Sequence, residues 1–532
     1  MLNFSALHPS YIKQTTILIL LLFVFHCENV FAQEQELELA RKYAEHSFRE
    51  GDYDFALENY LKLYAVNKKD LNINFRIGVC YTETNVNKTG GIPYLSYVVS
   101  HNNFPREALF YLGKAYLYNY QFTEAVESLY EYKVIGTDEV LLASSERYIE
   151  MSYNALEFIN QPKPVRFELV DTLVNSIYND FRPLVTADES KIFFTSNRRY
   201  VDGLGTFVND IYMSEATRSG WGQSAMLDIS TIDHDEIVGI APNGERIMIY
   251  THGDLATHEI RMAQRKGKQY RLVEEDQLPV DLNSKAKEHG ACINNEGTMI
   301  IFSSDRLGGY GGMDLYKIVK KDRRTWGPVE NLGSEINTPF DENFPTLSVD
   351  AHKLHFSSNA HASIGGFDLF YSVFSAADSA FQRPINHGFP ISSPFDDISI
   401  SFNADESVAY VATNRNEGIG NLDIYKVHIL KTSGSGMVVL GIVMVGDESD
   451  AVPYSSDFIK VYPTLYDTEG NMFSRYQISD EGMFFATLYP GEYILDVRFD
   501  KSEEGYREKL IITEPNEEQM EISLMIYLKL PK

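Results

Sequence analysis

Small and apolar residues recur with a helical period over residues 33–158. Three small positions, Ala44, Gly78 and Gly113, lie 34 and 35 residues apart. After each of them, a second small residue precedes a large one by four positions; these pairs are Ala56 with Tyr60, Gly91 with Leu95, and Ala125 with Leu129. Small residues let two helices approach closely, and large ones fill the gap to the next pair. The pattern predicts three helix pairs and a closing helix over 33–158, then a proline-bearing linker over 159–164.

From 165 to 431 the pattern changes to short strands that repeat five times. An apolar strand ends in small or hydroxyl residues and then Asn, His or Asp at positions 197, 252, 305, 359 and 414, which are 55, 53, 54 and 55 residues apart. A second marker, an acidic residue before an aliphatic one, follows at Asp210, Glu259, Asp314, Asp368 and Asp423. A period near 54 with several strands per repeat predicts a β-propeller with one sheet per repeat. Five blades are visible, and a sixth, irregular one stays open.

Residues 437–532 alternate apolar and polar positions over short strands, after a Ser/Gly linker at 432–436. Asp480-Glu481-Gly482 predicts a hairpin turn into a half-buried strand, and Pro490-Gly491 predicts the next turn. This length suits a small β-sandwich of about seven strands. The predicted fold class is therefore multidomain, with an α-helical repeat followed by a propeller and a sandwich.

The first 32 residues are typical of an export signal. Lys13 precedes the apolar run 17–25, which is shorter than the ~20 residues of a membrane-spanning helix, and Val30-Phe31-Ala32 has small residues where a signal peptidase cleaves. Cleavage after Ala32 is the favoured prediction, and lipidation of Cys27 is the alternative. Cys80 and Cys292 lie in apolar runs, so we expect them to be buried free thiols.

The charge balance narrows the class of partner. Asp and Glu number 75 against 47 Lys and Arg, for a net charge of -28. Nucleic-acid binding needs a basic stripe, and anionic membranes attract basic patches, so both partners are disfavoured. Mature chains of this composition, with 44% hydrophobic residues, fold as soluble proteins.

The sequence offers no complete catalytic or cofactor motif. It has no Gly-x-Ser-x-Gly, no phosphate-binding glycine loop, and no second His after His258-Glu259. The acidic cluster 233–236 matches the turns at 340–343 and 395–397, so we interpret it as a repeat feature and not as a metal site. The Asp of each second marker lies beside a glycine turn, and we expect it to cap turn amides. We therefore predict no catalytic residue, no metal and no cofactor.

Stacked helix pairs leave a concave face built from the first helix of each pair. With Ala44, Gly78 and Gly113 at the eighth position of each repeat, the fifth, ninth and twelfth positions face this groove. They are Arg41, Glu45, Phe48, Phe75, Val79, Thr82, Phe110, Lys114 and Leu117. A groove lined in this way suits a peptide or a partner's helix, and the alternative is that its rings pack against neighbouring helices.

Three motifs carry a family resemblance. The helical pattern is similar to tetratricopeptide repeats. The stretch from Ser303 to Tyr316, with its Ser-Ser-Asp-Arg and Gly-Gly-Met-Asp-Leu-Tyr, resembles TolB-like, WD-type propeller repeats. Asp480 to Tyr493 resembles the carboxypeptidase-regulatory type of transthyretin-like sandwich. In this order they resemble the PorE-like family of Bacteroidetes envelope proteins, across nearly all of the chain after residue 32.

The resemblance implies a function. PorE-like proteins are non-enzymatic periplasmic scaffolds of the type IX secretion and gliding machinery. Their OmpA-like, peptidoglycan-binding domain does not follow here before Lys532, so we expect no direct peptidoglycan binding by this chain.

The expected partners are type IX components or an outer-membrane barrel. They would be contacted through the helical groove and a propeller face, by a protein in the periplasm or on the inner leaflet of the outer membrane. The alternative from another class is a secreted hydrolase or glycan-binding propeller, with the C-terminal sandwich as its export signal.

Overall fold

The computed structural model describes most of the chain after residue 34. The described residues are 35–84, 87–252, 259–274, 277–413, 418–420, 422–430, 437–454, 460–468, 470, 472–476, 478–479, 482–499, 505–513 and 521–530. The predicted export signal with Cys27, and the predicted linker 432–436, lie outside them. The chain forms two compact units, residues 1–149 and 150–532.

Seven α-helices follow one another in the described N-terminal residues. They are 35–50 (α1), Tyr53–Val66 (α2), Leu71–Glu83 (α3), Ile92–Val99 (α4), Glu107–Tyr118 (α5), Phe122–Ile135 (α6) and Glu139–Ile159 (α7), with a 3₁₀ turn at Lys88–Gly91. Aspartates start two of them: the side chains of Asp52 and Asp70 accept hydrogen bonds from Phe55 N and Ile73 N at 3.3 and 3.0 Å. Such caps satisfy the free amides of a helix's first turn.

Glycines allow the close approach of neighbouring helices. A Cβ on Gly78 would lie 2.3 Å from Leu95 Cγ, and one on Gly113 would lie 2.6 Å from Leu129 Cγ. The small positions of α3 and α5 therefore lie directly against Leu95 of α4 and Leu129 of α6. The second compact unit includes the end of α7, where Asn154 Nδ2 donates to Ser363 O at 2.9 Å.

Five antiparallel sheets follow. The first contains Asp180–Val185 (β2), Lys191–Val201 (β3), Thr206–Thr217 (β4), Gly220–Trp221 (β5) and Ala225–Met226 (β6). The second contains His234–Ile240 (β7), Arg246–His252 (β8), Glu259–Lys266 (β9) and Gln269–Leu272 (β10). The third contains Glu288–Ile293 (β11), Met299–Ser304 (β12), Asp314–Lys320 (β13) and Trp326–Asn331 (β14).

The last two sheets complete the series. The fourth contains Glu342–Leu347 (β15), Lys353–Ser358 (β16), Asp368–Ser375 (β17), Ala380–Phe381 (β18) and Ile385–Asn386 (β19). The fifth contains Ile400–Phe402 (β20), Val408–Thr413 (β21), Asp423–Ile429 (β22) and, as its outer strand, Val165–Leu169 (β1). Because β1 opens this region and pairs with β22 near its end, the fifth sheet holds both ends of the region together.

The sheets form a closed ring. Each first strand contacts the neighbouring sheet, through Ile237 with Thr195, Gly239 with Ala291, Asn343 with Ser303, Ile400 with Thr346, and Val185 with Ser401. The last of these contacts joins the first sheet to the fifth. This is the arrangement of a β-propeller, in which β2, β7, β11, β15 and β20 are the strands nearest the axis.

Two further sheets lie in the C-terminal residues. One contains Met437–Val445 (β23), Val452–Pro453 (β24), Met483–Leu488 (β27) and Glu521–Leu528 (β30), with β23 and β30 parallel. The other contains Val461–Tyr466 (β25), Met472–Arg475 (β26), Gly491–Phe499 (β28) and Gly505–Ile512 (β29). Buried side chains of both sheets, such as Val439 and Leu495, belong to one core.

The two described cysteines are buried free thiols, as predicted. Burial raises the pKa of Cys80 to about 12 and raises that of Cys292 as well. Within the described ranges, no helix combines the length and the apolar character needed to cross a bilayer.

Candidate functional site

The residues predicted to line the helical groove differ in exposure. Arg41 and Glu45 are exposed and Phe48 is half-buried. The other six are at most 9% exposed: Phe75, Val79, Thr82, Phe110, Lys114 and Leu117. A buried side chain offers a partner no accessible surface, so the predicted groove needs correcting at these six positions.

Packing between helices explains why these six are buried. The Phe110 ring lies 5.8 Å from the rings of Tyr132 and Tyr148, which belong to later helices. Lys114 Nζ donates to Glu83 Oε1 at 2.6 Å. These aromatic and ionic contacts hold neighbouring helices together, which is the alternative that the sequence left open.

A polar cluster occupies the ring axis at the N-terminal ends of the inner strands. We call Arg182, Glu236, His289 and Asn343 the axial cluster. Arg182 donates through Nη1 to Glu236, and its Nη2 lies 3.0 Å from His289 Nε2. Asn343 Nδ2 lies 3.1 Å from His289 Nδ1. Four neighbouring sheets are therefore joined at the axis by side chains in contact.

The cluster fixes the protonation states of its members. Burial alone would raise the pKa of Glu236, but Arg182, His252 and His289 hold it well below its usual range. Glu236 Oε1 also accepts from Asn209 Nδ2 at 2.7 Å and lies 3.1 Å from His252 Nε2. Burial and the Arg182 charge lower the pKa of His289 to about 2. Glu236 is thus ionised and His289 neutral near neutral pH.

Bulges in the inner strands contain Arg182 and His289 and begin within two residues of Glu236 and Asn343. The strand register shifts just after the first residues of β2, β7, β11 and β15. Arg182 and Phe344 lie in these bulges with φ of 52° and 49°, a left-handed conformation that non-glycine residues adopt at some cost. The Phe344 ring stacks under the Arg182 guanidinium at 4.1 Å. Arg182 Nε is buried and has no hydrogen-bond partner within the described part of the chain.

An exposed aromatic surface lies at the same end of the ring. Strands β3 and β4 have 11 and 12 residues, whereas β12 and β13 have 6 and 7. On this longer hairpin, the Phe207 ring contacts the rings of Tyr200 and Tyr178, each at a centroid distance of 5.1 Å. We call Tyr178, Tyr200, Leu204 and Phe207 the hairpin patch. Tyr200, Leu204 and Phe207 are 51%, 47% and 39% exposed.

Apolar exposure continues around this end of the ring. Ile232, Leu307, Tyr310 and Phe340 lie in loops that precede inner strands or follow second strands, and all four are exposed. Exposed aromatic and aliphatic side chains that share one face are typical of protein interaction sites.

The second-marker aspartates cap turns, as predicted, in three repeats. Asp314 accepts from Tyr310 N at 2.6 Å, Asp368 from Ile364 N at 2.5 Å, and Asp423 from Ile419 N at 2.7 Å. Asp210 differs, because Arg199 Nε and Nη2 donate to it at 2.5 and 2.8 Å.

A second set of structural carboxylates, at the first or second position of each inner strand or just before it, was not predicted from the sequence. In every repeat a Ser or Thr precedes an acidic residue by four positions and its backbone N donates to that carboxylate: Ser176 to Asp180, Thr231 to Asp235, Ser284 to Glu288, Thr338 to Glu342, and Ser393 to Asp397. The spacing Ser/Thr-x-x-x-Asp/Glu at the repeat period is a signal that the sequence carries.

The acidic cluster 233–236 divides between two roles. Asp235 anchors its loop and accepts from Arg261 Nη2 at 2.7 Å, while Glu236 joins the axial cluster. In the part of the chain that the structure describes, no three His, Cys, Asp or Glu side chains are grouped to hold a metal ion.

Comparisons with known proteins give weak likenesses. No family model matches the chain, and no curated protein matches it. A putative TolB from Agrobacterium tumefaciens is 12% identical over 61% of this chain and 97% of its own, with a TM-score of 0.28. An α-L-arabinanase of Penicillium chrysogenum complexed with arabinobiose is 10% identical over 48% of this chain and 96% of its own, with a TM-score of 0.31.

The β-propeller domain of the Trilobed protease from Pyrococcus furiosus is 8% identical over 63% of this chain and 81% of its own, with a TM-score of 0.24. At these scores the likenesses say nothing about activity. The closed ring of five sheets is inferred from the strand pairing and from the contacts between sheets.

Proposed function

We propose that this chain is a non-enzymatic scaffold that binds other proteins through the ring end carrying the hairpin patch. The proposed architecture is a tetratricopeptide-repeat unit, a five-bladed propeller and a transthyretin-like sandwich. By its resemblance to PorE-like proteins, the proposed place is the periplasm, and the proposed partner is a type IX secretion component or an outer-membrane barrel.

The observation that carries the proposal is the hairpin patch. Tyr200, Leu204 and Phe207 lie on the part of the β3–β4 hairpin that extends beyond the length of the β12–β13 hairpin. About half of each side chain stays exposed, and burying that half against a partner would contribute about 0.7–1.5 kcal/mol for each. Tyr and Phe are also enriched at protein interfaces.

The axial cluster favours binding over catalysis. A general acid or base works best with a pKa near the ambient pH. Burial and the Arg182 charge lower the pKa of His289 to about 2. Burial would raise the pKa of Glu236, but Arg182, His252 and His289 hold it well below its usual range. The cluster therefore supplies a fixed charge pattern at the centre of the surface.

Site-specific photo-crosslinking tests the proposal. A benzophenone amino acid placed at Leu204, in the organism that encodes the chain, should give a discrete adduct with one envelope protein. The matched control is Ile385, which is 53% exposed on β19, away from the hairpin. The same adducts from both positions, or none from Leu204, would contradict the proposal.

A further inference from the structure

The sheet that contains β23, β24, β27 and β30 is apolar on both of its faces. Along β23, Met437, Val439, Val443 and Val445 belong to the core between the two C-terminal sheets. The alternate positions of a strand with one face outside the core are normally polar. In β23 these positions are apolar instead, so its outward side chains are as hydrophobic as its inward ones.

Neighbouring strands continue this apolar surface. Phe485 of β27 pairs with Leu440 of β23. Ile442 pairs with Met483 of β27 on one side and with Met525 of β30 on the other. Directly paired residues point to the same side of a sheet. We call Leu440, Ile442, Met444, Met483, Phe485 and Met525 the outer face.

The outer face is open to solvent and uncharged. Phe485 and Met525 are 57% and 48% exposed, and the other four side chains are half-buried. Among the described side chains that point to this side of the sheet, none carries a charge. In a chain with a net charge of -28, such a surface selects an apolar partner and not an ionic one.

An acidic loop bounds the outer face at one end. β23 ends at Val445, and the exposed residues Asp447, Glu448 and Asp450 follow. Lys529 Nζ lies 2.6 Å from Asp447 Oδ1 and neutralises only one of these three carboxylates. A partner segment with positive charge at the same end is therefore favoured.

The size of the outer face excludes a stable dimer built on it alone. β27, β23 and β30 lie about 4.8 Å apart, and the outer face extends over about five residues of β23, which gives a surface of roughly 15 by 15 Å. This footprint of roughly 200 Å² is far below the ~800 Å² that each partner buries in a stable protein–protein interface. A single α-helix, with a diameter of ~10–12 Å, covers the same width.

The backbone of the partner decides between a helix and an extended segment. The outer face offers apolar side chains and no backbone groups, so an extended peptide lying on it would leave its own amides and carbonyls unpaired. A helix forms its backbone hydrogen bonds internally and presents only side chains.

We propose that the outer face binds an amphipathic α-helix of another protein. The apolar side of that helix contacts Leu440, Ile442 and Phe485, and its basic residues lie next to Asp447 and Glu448. This gives the chain a second binding surface, on a different part of the chain from the hairpin patch.

Methyl NMR of the full chain locates the binding. The probe is a helical peptide of about 15 residues, with leucines on one side, glutamines on the other and a lysine pair at one end. With the methionine methyls labelled and assigned through Met525→Leu, Met483→Leu and Met226→Leu, the peptide should shift the signals of Met525 and Met483. Met226, 41% exposed on β6, is the internal control and should not respond.

Variants and altered peptides measure the contributions of shape and charge. Phe485→Ser should lower the affinity for the peptide about tenfold, because this ring is the most exposed side chain of the outer face. Ile511→Ser is the matched control, since Ile511 is 62% exposed on β29 of the other sheet, and it should leave the affinity unchanged. A peptide with glutamates in place of the lysine pair should bind more weakly, and the difference should shrink as salt is added.

Three results would overturn the proposal. The first is that the signals of Met525 and Met483 do not respond to the peptide. The second is that the native chain and Phe485→Ser bind the peptide equally well. The third is self-association in sedimentation equilibrium that Phe485→Ser abolishes, because the occupant would then be a second copy of the chain. None of these results bears on the hairpin patch, which these variants leave intact.

Discussion

Replacing Glu342 with Gln should remove a pH-dependent loss of stability from the propeller. The Glu342 side chain is fully buried and accepts from Thr338 N at 2.9 Å, Thr338 Oγ1 at 2.7 Å and Ser358 Oγ at 2.9 Å. The equivalent Glu288 is also paired with Arg306 at 2.9 Å. Ala360 stands at the position of that arginine, so Glu342 has hydrogen bonds but no guanidinium.

A histidine replaces the arginine only in part. His361 Nε2 bonds to Ile336 O at 3.0 Å, as Arg306 Nη2 bonds to Leu282 O at 3.2 Å. It lies 3.9 Å from Glu342 and makes no hydrogen bond to it.

The magnitude follows from the shifted pKa. Burial, with a contribution from Asp314, raises the pKa of Glu342 from 4.5 to about 7, although its hydrogen bonds act in the opposite direction. A raised carboxyl pKa leaves stability intact below pH 4.5 and lowers it as the pH rises to about 7. The loss amounts to about 3 kcal/mol, from ~1.4 kcal/mol for each pH unit between the two values.

Calorimetry at pH 5 and pH 8 measures this loss. From pH 5 to pH 8 the midpoint temperature of the propeller transition should fall by roughly 5 °C more in the native chain than in Glu342→Gln. This follows from the about 2.5 kcal/mol lost over that interval, at about 2 °C per kcal/mol for a domain of this size. Glu215→Gln is the control, because that carboxylate is 64% exposed. If the transition temperatures of the native chain and of Glu342→Gln fall by the same amount between pH 5 and pH 8, Glu342 does not titrate in this range and the reasoning is refuted.

Three further outcomes are expected. Asp368→Asn should change the unfolding midpoint little, because burial raises the pKa of Asp368 well above 3.8 and Oδ1 has no partner among the described residues. Asp210→Asn should cost about 1–3 kcal/mol, because the amide cannot accept both hydrogen bonds from Arg199; denaturant unfolding compares the two variants. Gly78→Ala should destabilise the helical unit by about 1–3 kcal/mol, because the new Cβ would overlap Leu95, while Gly203→Ala, with open space around it, should be neutral in the same assay. Cys80 and Cys292 should react with a thiol reagent at pH 8 only as fast as the chain opens, since burial raises both pKa values; rapid labelling of either residue, located by peptide mapping, would contradict its buried position.

Repetition is what made the fold predictable. The period near 54 in the positions from His252 to Asn359 predicted where the second strands of three successive sheets end, although β3 continues past Asn197 to Val201. The small positions Gly78 and Gly113 predicted where helices approach. The strand-end period and the small helix positions are both visible in a single sequence because each repeat packs against its neighbours in the same way. The capping role of Asp314 and Asp368 followed from the same regularity.

The axial cluster was not predictable in this way. Its members follow the anchoring carboxylates by one or two positions, but they differ from repeat to repeat: Arg182, Glu236, His289 and Asn343. They lie 54, 53 and 54 residues apart, at the repeat period, but because their residue types differ this spacing alone does not single them out. The groove prediction erred for a related reason, because the rings of Phe75 and Phe110 reach aromatic residues of neighbouring helices.

The affinity of the full chain for the protein crosslinked at Leu204 tests the central claim most directly. The native chain and the double variant Tyr200→Ser, Phe207→Ser are compared with the control Ile385→Ser by titration calorimetry. The hairpin-patch account predicts at least about a thirtyfold loss of affinity for the double variant, as for a buried aromatic hot spot worth 2 kcal/mol, and none for the control. Equal affinity of the native chain and the double variant would contradict it.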